Sequence, residues 1–196
     1  MKNIVLASKS IDRRDLLKKV KIPIEVVVAT IDEETYKEKI LDPFKLVIEL
    51  AKAKVLDVKQ KLKRNSIIIA ADTLIELNGE IIGKANNETE AFNILKKLNN
   101  TSHNLITGFA ITETNNPKII VDYSITSVEF LNLTDDEIWN YIKNDEWQGR
   151  AGAYSIKDKA SLFIKTINGS PTNVIGLPMH RIFEILKNEF DINLFK

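Results

Sequence analysis

No cysteine occurs among the 196 residues, which removes disulfides, thiolate metal sites and cysteine nucleophiles together. Histidine occurs only twice, at His103 and His180, far apart and in no metal-ligand spacing, so core or surface roles are expected of both. A serine-hydrolase elbow of the Gly-x-Ser-x-Gly type is absent. An excess of one sign of charge is missing too, because 28 Lys and Arg against 27 Asp and Glu leave a formal net charge of +1. That excludes a protein that coats nucleic acid, whose footprint is a strongly basic face, yet leaves room for a few cations around a phosphate. The first residues hold only the short apolar run Ile4–Ala7, less than the roughly 7–15 residues of a secretory signal or the roughly 20 of a spanning helix. A cytoplasmic protein with no membrane partner is the expectation. Repeats, low-complexity tracts and Pro/Gly/Ser linkers are also lacking, so one domain over residues 1–196 is expected.

What is present alternates strand and helix. Asn3 to Ala7 reads as a short buried strand, Ser10 to about Val20 as a helix, and the valine-rich Ile22 to Ala29 as a second strand. Asp42-Pro43, an N-cap followed by proline in the first turn, opens a long helix. Its apolar residues Phe44, Val47, Leu50, Ala51, Val55 and Val58 recur at helical spacing. Ser66 to Ala71 reads as a buried strand ending at Asp72-Thr73, and Leu74 to Leu77 and Glu80 to Ile82 flank Asn78-Gly79, a strong hairpin signal. Asn87-Glu88-Thr89-Glu90 resembles a capping box for a helix to about Leu98, and Thr134-Asp135-Asp136-Glu137 another for a helix to about Lys143. Long strands are expected around Asn104–Thr112 and Lys118–Leu131, a further one over Ser161 to Ile167, and a last helix over Pro178 to Phe190. Hairpins interrupting the alternation point to an α/β fold with a mixed sheet and flanking helices.

Some residues fit folding alone poorly. Ser10 is a good N-cap, but Arg13 and Arg14 occupy the first turn of its helix, where the helix dipole disfavours cations and only Asp12 offsets them. Unpaired backbone N–H groups beside arginines suit an anion such as phosphate; two solvated arginines are the plainer alternative. Asp72 closes an apolar run where α/β sheets gather ligands, so it could hold a hard cation, act as general base, or simply cap the next turn. The segment Gly79 to Ala85 is one residue short of a P-loop, ends in Ala rather than Ser or Thr and precedes no immediate helix; Lys84 could still face a phosphate. The basic run Lys59 to Arg64 ends a helix, where cations are favoured anyway, and Trp139 and Trp147 read as packing residues.

Taken in order, several segments resemble the Maf family of nucleotide pyrophosphatases. Leu6-Ala7-Ser8-Lys9-Ser10 with Arg13, Leu16 and Leu17 is similar to the family's opening motif, and Asp32-Glu33 lies where the family has an acidic pair. Leu50-Ala51-Lys52-Ala53-Lys54, Ala71-Asp72-Thr73 with Gly83-Lys84, Thr107-Gly108, Val128-Glu129-Phe130, Ala151-Gly152-Ala153-Tyr154 and Gly176-Leu177-Pro178 continue it over essentially the whole chain. The resemblance implies a strongly twisted mixed sheet in an inosine triphosphate pyrophosphatase-like fold, two lobes around a cleft, and a homodimer. It implies hydrolysis of a nucleoside triphosphate to monophosphate and pyrophosphate. Ser8, Ser10 and Arg13 would grip phosphates, Lys54 and Lys84 would neutralise the triphosphate, and Glu33 and Asp72 would hold Mg²⁺ or Mn²⁺ or position water, with Asp72 the proton acceptor.

The departures bear on the base. Asp12 stands where the branch acting on dTTP and UTP has an arginine and the branch acting on 7-methyl-GTP a tryptophan. Lys157 stands where those branches have glutamine and glutamate, and Gly149 replaces a usual aspartate. Thr73 agrees with the dTTP/UTP branch, as does the frame Ala151 to Ile156. Asp12, Thr73 and Lys157 are therefore the expected specificity positions. Two other readings stand beside a dTTP/UTP pyrophosphatase. One is a non-catalytic nucleotide-binding regulator of cell division and septum formation; the other is a pyrophosphatase for 7-methyl-GTP or for inosine or xanthosine triphosphate.

Overall fold

The computed structural model describes residues 2–195. Period-two burial organises its strands, as expected where both faces of a sheet are covered. In β1 (Asn3–Leu6), Ile4 and Leu6 enter one core cluster and Val5 another. In β3 (Ser66–Leu77), Ile67, Ile69 and Ala71 join the first cluster, Ile68 and Ala70 the second. Helices α1 (Ile11–Lys19) and α7 (Met179–Phe190) complete the first cluster through Leu16, Leu17, Ile182, Ile185, Leu186 and Phe190. Helix α3 (Pro43–Lys61) completes the second through Ala51, Val55 and Val58.

The remaining elements are β2 (Ile24–Val26), α2 (Glu33–Lys39), β4 (Glu80–Ile82), α4 (Glu88–Leu98), β5 (Ser102–Glu113), β6 (Ile119–Phe130), α5 (Asp135–Ile142), a 3-10 turn over Lys159–Leu162, β7 (Ile164–Asn168) and α6 (Pro171–Ile175). The strand order is β2-β1-β3-β5-β6-β7, with β4 on β3. The pairs β1–β2 and β1–β3 are parallel while β3–β4 and β6–β7 are antiparallel, so the sheet is mixed and the fold α/β. The chain forms two compact units: Met1–Asp72, Thr107–Ser124 and Ile175–Lys196 in one, Thr73–Ile106 and Ile125–Val174 in the other. The second unit has its own core, built on Ile75, Ile82, Val128 and Phe130 with Leu95 and Leu98 of α4 and Ile138 and Ile142 of α5.

The caps stand where the residues place them. Ser10, Asp42, Asn87 and Thr134 each accept a hydrogen bond from the third residue of their helix, and Glu137 returns the bond to Thr134 in a full capping box. Asn78 (φ 52°) and Gly79 (φ 85°) turn the β3–β4 hairpin with two positive φ values, which strand twist favours in a two-residue loop.

Three boundaries differ from the sequence expectation. The run Ile22 to Ala29 contributes only Ile24–Val26, because β2 is an edge strand and leaves Val26 and Val28 exposed. The run Ser161 to Ile167 begins in the 3-10 turn, closed by Phe163 N–H donating to the Ala160 carbonyl, and becomes strand only at Ile164. The strand expected to stop at Asp72 continues to Leu77. Asp72 is therefore mid-strand, and its charge is met on the spot by Lys54, so nothing drives the chain out of extended geometry there.

Candidate active site

Lys54 lies in the wrong place for a solvated lysine. In α3 the positions Val47, Ala51, Lys54 and Val58 follow the three- and four-residue steps of one helical face, and all are buried. That face packs on the sheet side that carries Ile68 and Ala70, and the next position in that alternation is Asp72. The ammonium donates to Asp72 Oδ1 at 2.6 Å and lies 2.9 Å from Glu33 Oε1. The three side chains are 10%, 18% and 33% exposed, so the ion triad is partly withdrawn from water. A charge so placed is tolerated only when paired, and removing one member leaves the others uncompensated.

Glu33 reaches the triad from the first turn of α2, which Asp32 caps by accepting from Thr35. Asp32 itself is held below the usual carboxylate range by its hydrogen bonds to Thr35. A carboxylate at a helix N-terminus is favourably placed against the dipole. One turn on, Lys37 pairs with Glu34 at 2.6 Å; that hydrogen bond chiefly raises its pKa, and the charges of Glu33 and Asp72 add to the rise. Lys37 is a cation near the triad that the sequence reading missed. Its signal was the Glu33–Lys37 spacing after a capping aspartate.

Arg13 is buried, with only 8% of its surface exposed. Its Nε donates to the Gly176 carbonyl at 2.8 Å, and its Nη1 to the Ala71 carbonyl at 2.9 Å and to Ser8 Oγ at 3.2 Å. Burial lowers its pKa, while Asp72, Glu33 and Asp12 pull the other way, which ties the guanidinium electrostatically to the triad. Ser8 Oγ also accepts from the Ser10 backbone N–H at 3.2 Å, and Ser10 Oγ from the Arg13 N–H at 3.4 Å. Arg13 thus fastens the turn after β1, the strand residue before Asp72 and the turn before α7. The alternative of a solvated arginine is excluded. Ser8, Ser10, Arg13, Glu33, Lys54 and Asp72 all fall in one unit.

A family model for Maf-like proteins matches residues 3–189. The chain belongs to the Maf-like protein family. It is 43% identical over 194 residues to a protein of Alkaliphilus oremlandii named dTTP/UTP pyrophosphatase, covering 99% of this chain and all of that one. A protein of the same name from Caldanaerobacter subterraneus subsp. tengcongensis is 41% identical over 189 residues, or 96% of this chain and 90% of that one. Among solved structures, the Staphylococcus aureus Ham1 protein aligns over 66% of this chain and 72% of its own, with a TM-score of 0.44 at 20% identity.

In this Maf-like chain Thr73, Lys84 and Lys157 belong to the second unit, whereas Asp12 belongs to the first. Lys84 is exposed after β4, where its backbone bridges Ala151 and the Gly83 carbonyl accepts from Gly152 N–H at 3.1 Å. Lys157 is half-buried, with its N–H 3.4 Å from Ser155 Oγ, and Thr73 follows Asp72 along β3. Asp12 is half-buried in the first turn of α1. His103 is a core residue: its Nε2 lies 2.9 Å from the Tyr154 hydroxyl, and burial takes its pKa down to about 4.

The donor set suits a hard cation shared with substrate. Among the described residues no group of three or more His, Cys, Asp or Glu is placed to hold a metal by itself. Glu33 and Asp72 nevertheless converge on one positive centre, the Lys54 ammonium, with hard carboxylate oxygens. Mg²⁺ is commonly held by one or two carboxylates together with substrate phosphates and water, so the pair fits such an ion.

Proposed function

We propose that the chain hydrolyses a nucleoside triphosphate to the nucleoside monophosphate and pyrophosphate, with dTTP and UTP as its substrates. The observation that carries this reading is the convergence of Asp72 and Glu33 on Lys54, beside the buried Arg13, in a chain whose relatives are named for that activity. A triphosphate repels an incoming water or hydroxide, so its charge must be met before attack. Lys54 and Arg13 supply positive charge, and the hydroxyl of Ser8, held by Arg13, offers a fixed polar contact. A divalent metal, when held by Glu33 and Asp72, supplies Lewis-acid polarisation of the phosphoryl oxygens.

Asp72 has the position of a general base, since its carboxylate is held in place yet 18% exposed. The water oxygen bonds to the α-phosphorus as the bond from that phosphorus to the bridging oxygen breaks. Pyrophosphate leaves with the electron pair, and the water proton passes to Asp72. Thr73, Asp12 and Lys157 are the positions assigned to reading the base, and a homodimer is part of this reading. Among the described residues no helix is long and apolar enough to cross a membrane.

Purified protein with Mg²⁺ or Mn²⁺ should release pyrophosphate from dTTP and UTP ahead of ATP, GTP, 7-methyl-GTP and ITP. Release confined to ITP or 7-methyl-GTP would move the substrate assignment. No release from any member of the panel would remove the reaction.

A further inference from the structure

Lys54 sits where a cation is wanted. Its ammonium lies between Asp72 Oδ1 and Glu33 Oε1, the two carboxylates to which the proposed reaction assigns the divalent metal. The lysine side chain is 10% exposed and rises from the buried face of α3 between Ala51 and Val58. A divalent ion needs the same oxygen lone pairs at about 2.0–2.1 Å for Mg²⁺, and an ammonium on those oxygens repels it. The geometry points to an exchange: Lys54 is the resident counter-ion of the Glu33–Asp72 pair, and a divalent metal takes that pair only when the ammonium moves to another anion.

The phosphates of the incoming nucleotide are that anion. Other basic groups near the pair are poorly suited to the transfer. Arg13 is committed through Nε and Nη1 to Gly176, Ala71 and Ser8, and Lys37 is paired with Glu34. Metal alone then binds weakly, and metal and nucleotide strengthen each other's binding, because each relieves a charge that the other leaves unmet. The exchange rests on the reading of the chain as a metal-assisted pyrophosphatase and adds to it the order in which charges are handed over.

The test is Mn²⁺ binding to the nucleotide-free protein, read by electron paramagnetic resonance. Lys54→Met should bind Mn²⁺ at least about tenfold more tightly than the unaltered protein, whereas Lys54→Arg, which keeps a cation at the pair, should not. Thermal unfolding of Lys54→Met should shift upward with Mg²⁺ by more than that of the unaltered protein. A Lys54→Met protein that binds Mn²⁺ no more tightly overturns the exchange.

Should Lys54→Met fail to fold, the unaltered protein labelled with ¹³C,¹⁵N-lysine gives the second reading, with Lys54 assigned through Lys54→Arg. Its side-chain signal should move as Mg²⁺ is titrated into the metal-free protein. An unmoved signal at full metal occupancy overturns the proposal. Neither measurement needs turnover. Tighter Mn²⁺ binding without pyrophosphate release from any nucleotide would remove the function and keep the exchange; release with unchanged Mn²⁺ affinity would do the reverse.

Discussion

An ammonium on the buried face of a helix is stable only where carboxylates meet it, and this condition links Lys54 to Asp72 and Glu33 more tightly than any sequence spacing could. Asp72→Asn keeps the shape but cannot take a proton. A pyrophosphate-release assay should show kcat lower by about 10²–10⁴-fold with Lys54 still in place. Arg13 acts through what it holds. Arg13→Lys keeps the charge but loses the fork that spans the Ala71 and Gly176 carbonyls and Ser8. Kinetics on UTP should show the loss mainly in kcat; a rise in KM with kcat unchanged would make Arg13 a phosphate ligand instead. At this scale Lys54 was legible only through the resemblance of Leu50-Ala51-Lys52-Ala53-Lys54 to a family segment. The Ala71 and Gly176 carbonyls were not, since a backbone acceptor has no side-chain identity to read.

Elements pack through their narrow points, and Gly108 of β5 is one. A Cβ built there would lie 2.4 Å from the Val47 carbonyl carbon and 2.5 Å from its oxygen, so the backbone of α3 rests directly on this glycine. Gly108→Ala should cost about 1–3 kcal/mol through overpacking, seen as a lower urea midpoint. The Thr134–Glu137 capping box predicts a smaller loss for Thr134→Ala, about 1 kcal/mol, with pyrophosphate release unchanged. Capped helices with a buried stripe were legible. Helix α2 was not, because it buries no residue and so has no apolar period; only Asp32 and the acidic first turn mark it. The extent of β3 was misread for the opposite reason: a charged residue looked like an end, whereas a partner on α3 let the strand run through it.

Across the whole molecule, pH acts through a buried histidine as well as through paired acids. His103 is 2% exposed, and its pKa falls from an ordinary 6.5 to about 4 through burial. Between those values the unfolded chain binds a proton that the folded chain refuses, so stability declines as pH falls from 6.5 towards 4 and this contribution levels off below. The full effect is about 3 kcal/mol at the ordinary free-energy equivalent of a pKa shift. His103→Gln can keep a hydrogen bond to Tyr154 but does not titrate, so urea midpoints of the two proteins should diverge on acidification, the unaltered protein losing more. Parallel loss in both would remove His103 as the cause.

The linear chain by itself determined the α/β class, the caps, the hairpin at Asn78-Gly79, the family and the roster of charged residues, because each is written in local patterns of identity and spacing. Tertiary structure alone decided that Glu33, Lys54 and Asp72 form one ion triad and that Arg13 is a buried clamp on backbone carbonyls. The reason is physical. Which side chains meet depends on the phase of a helix against the alternation of a strand, and that phase is set only when the two pack.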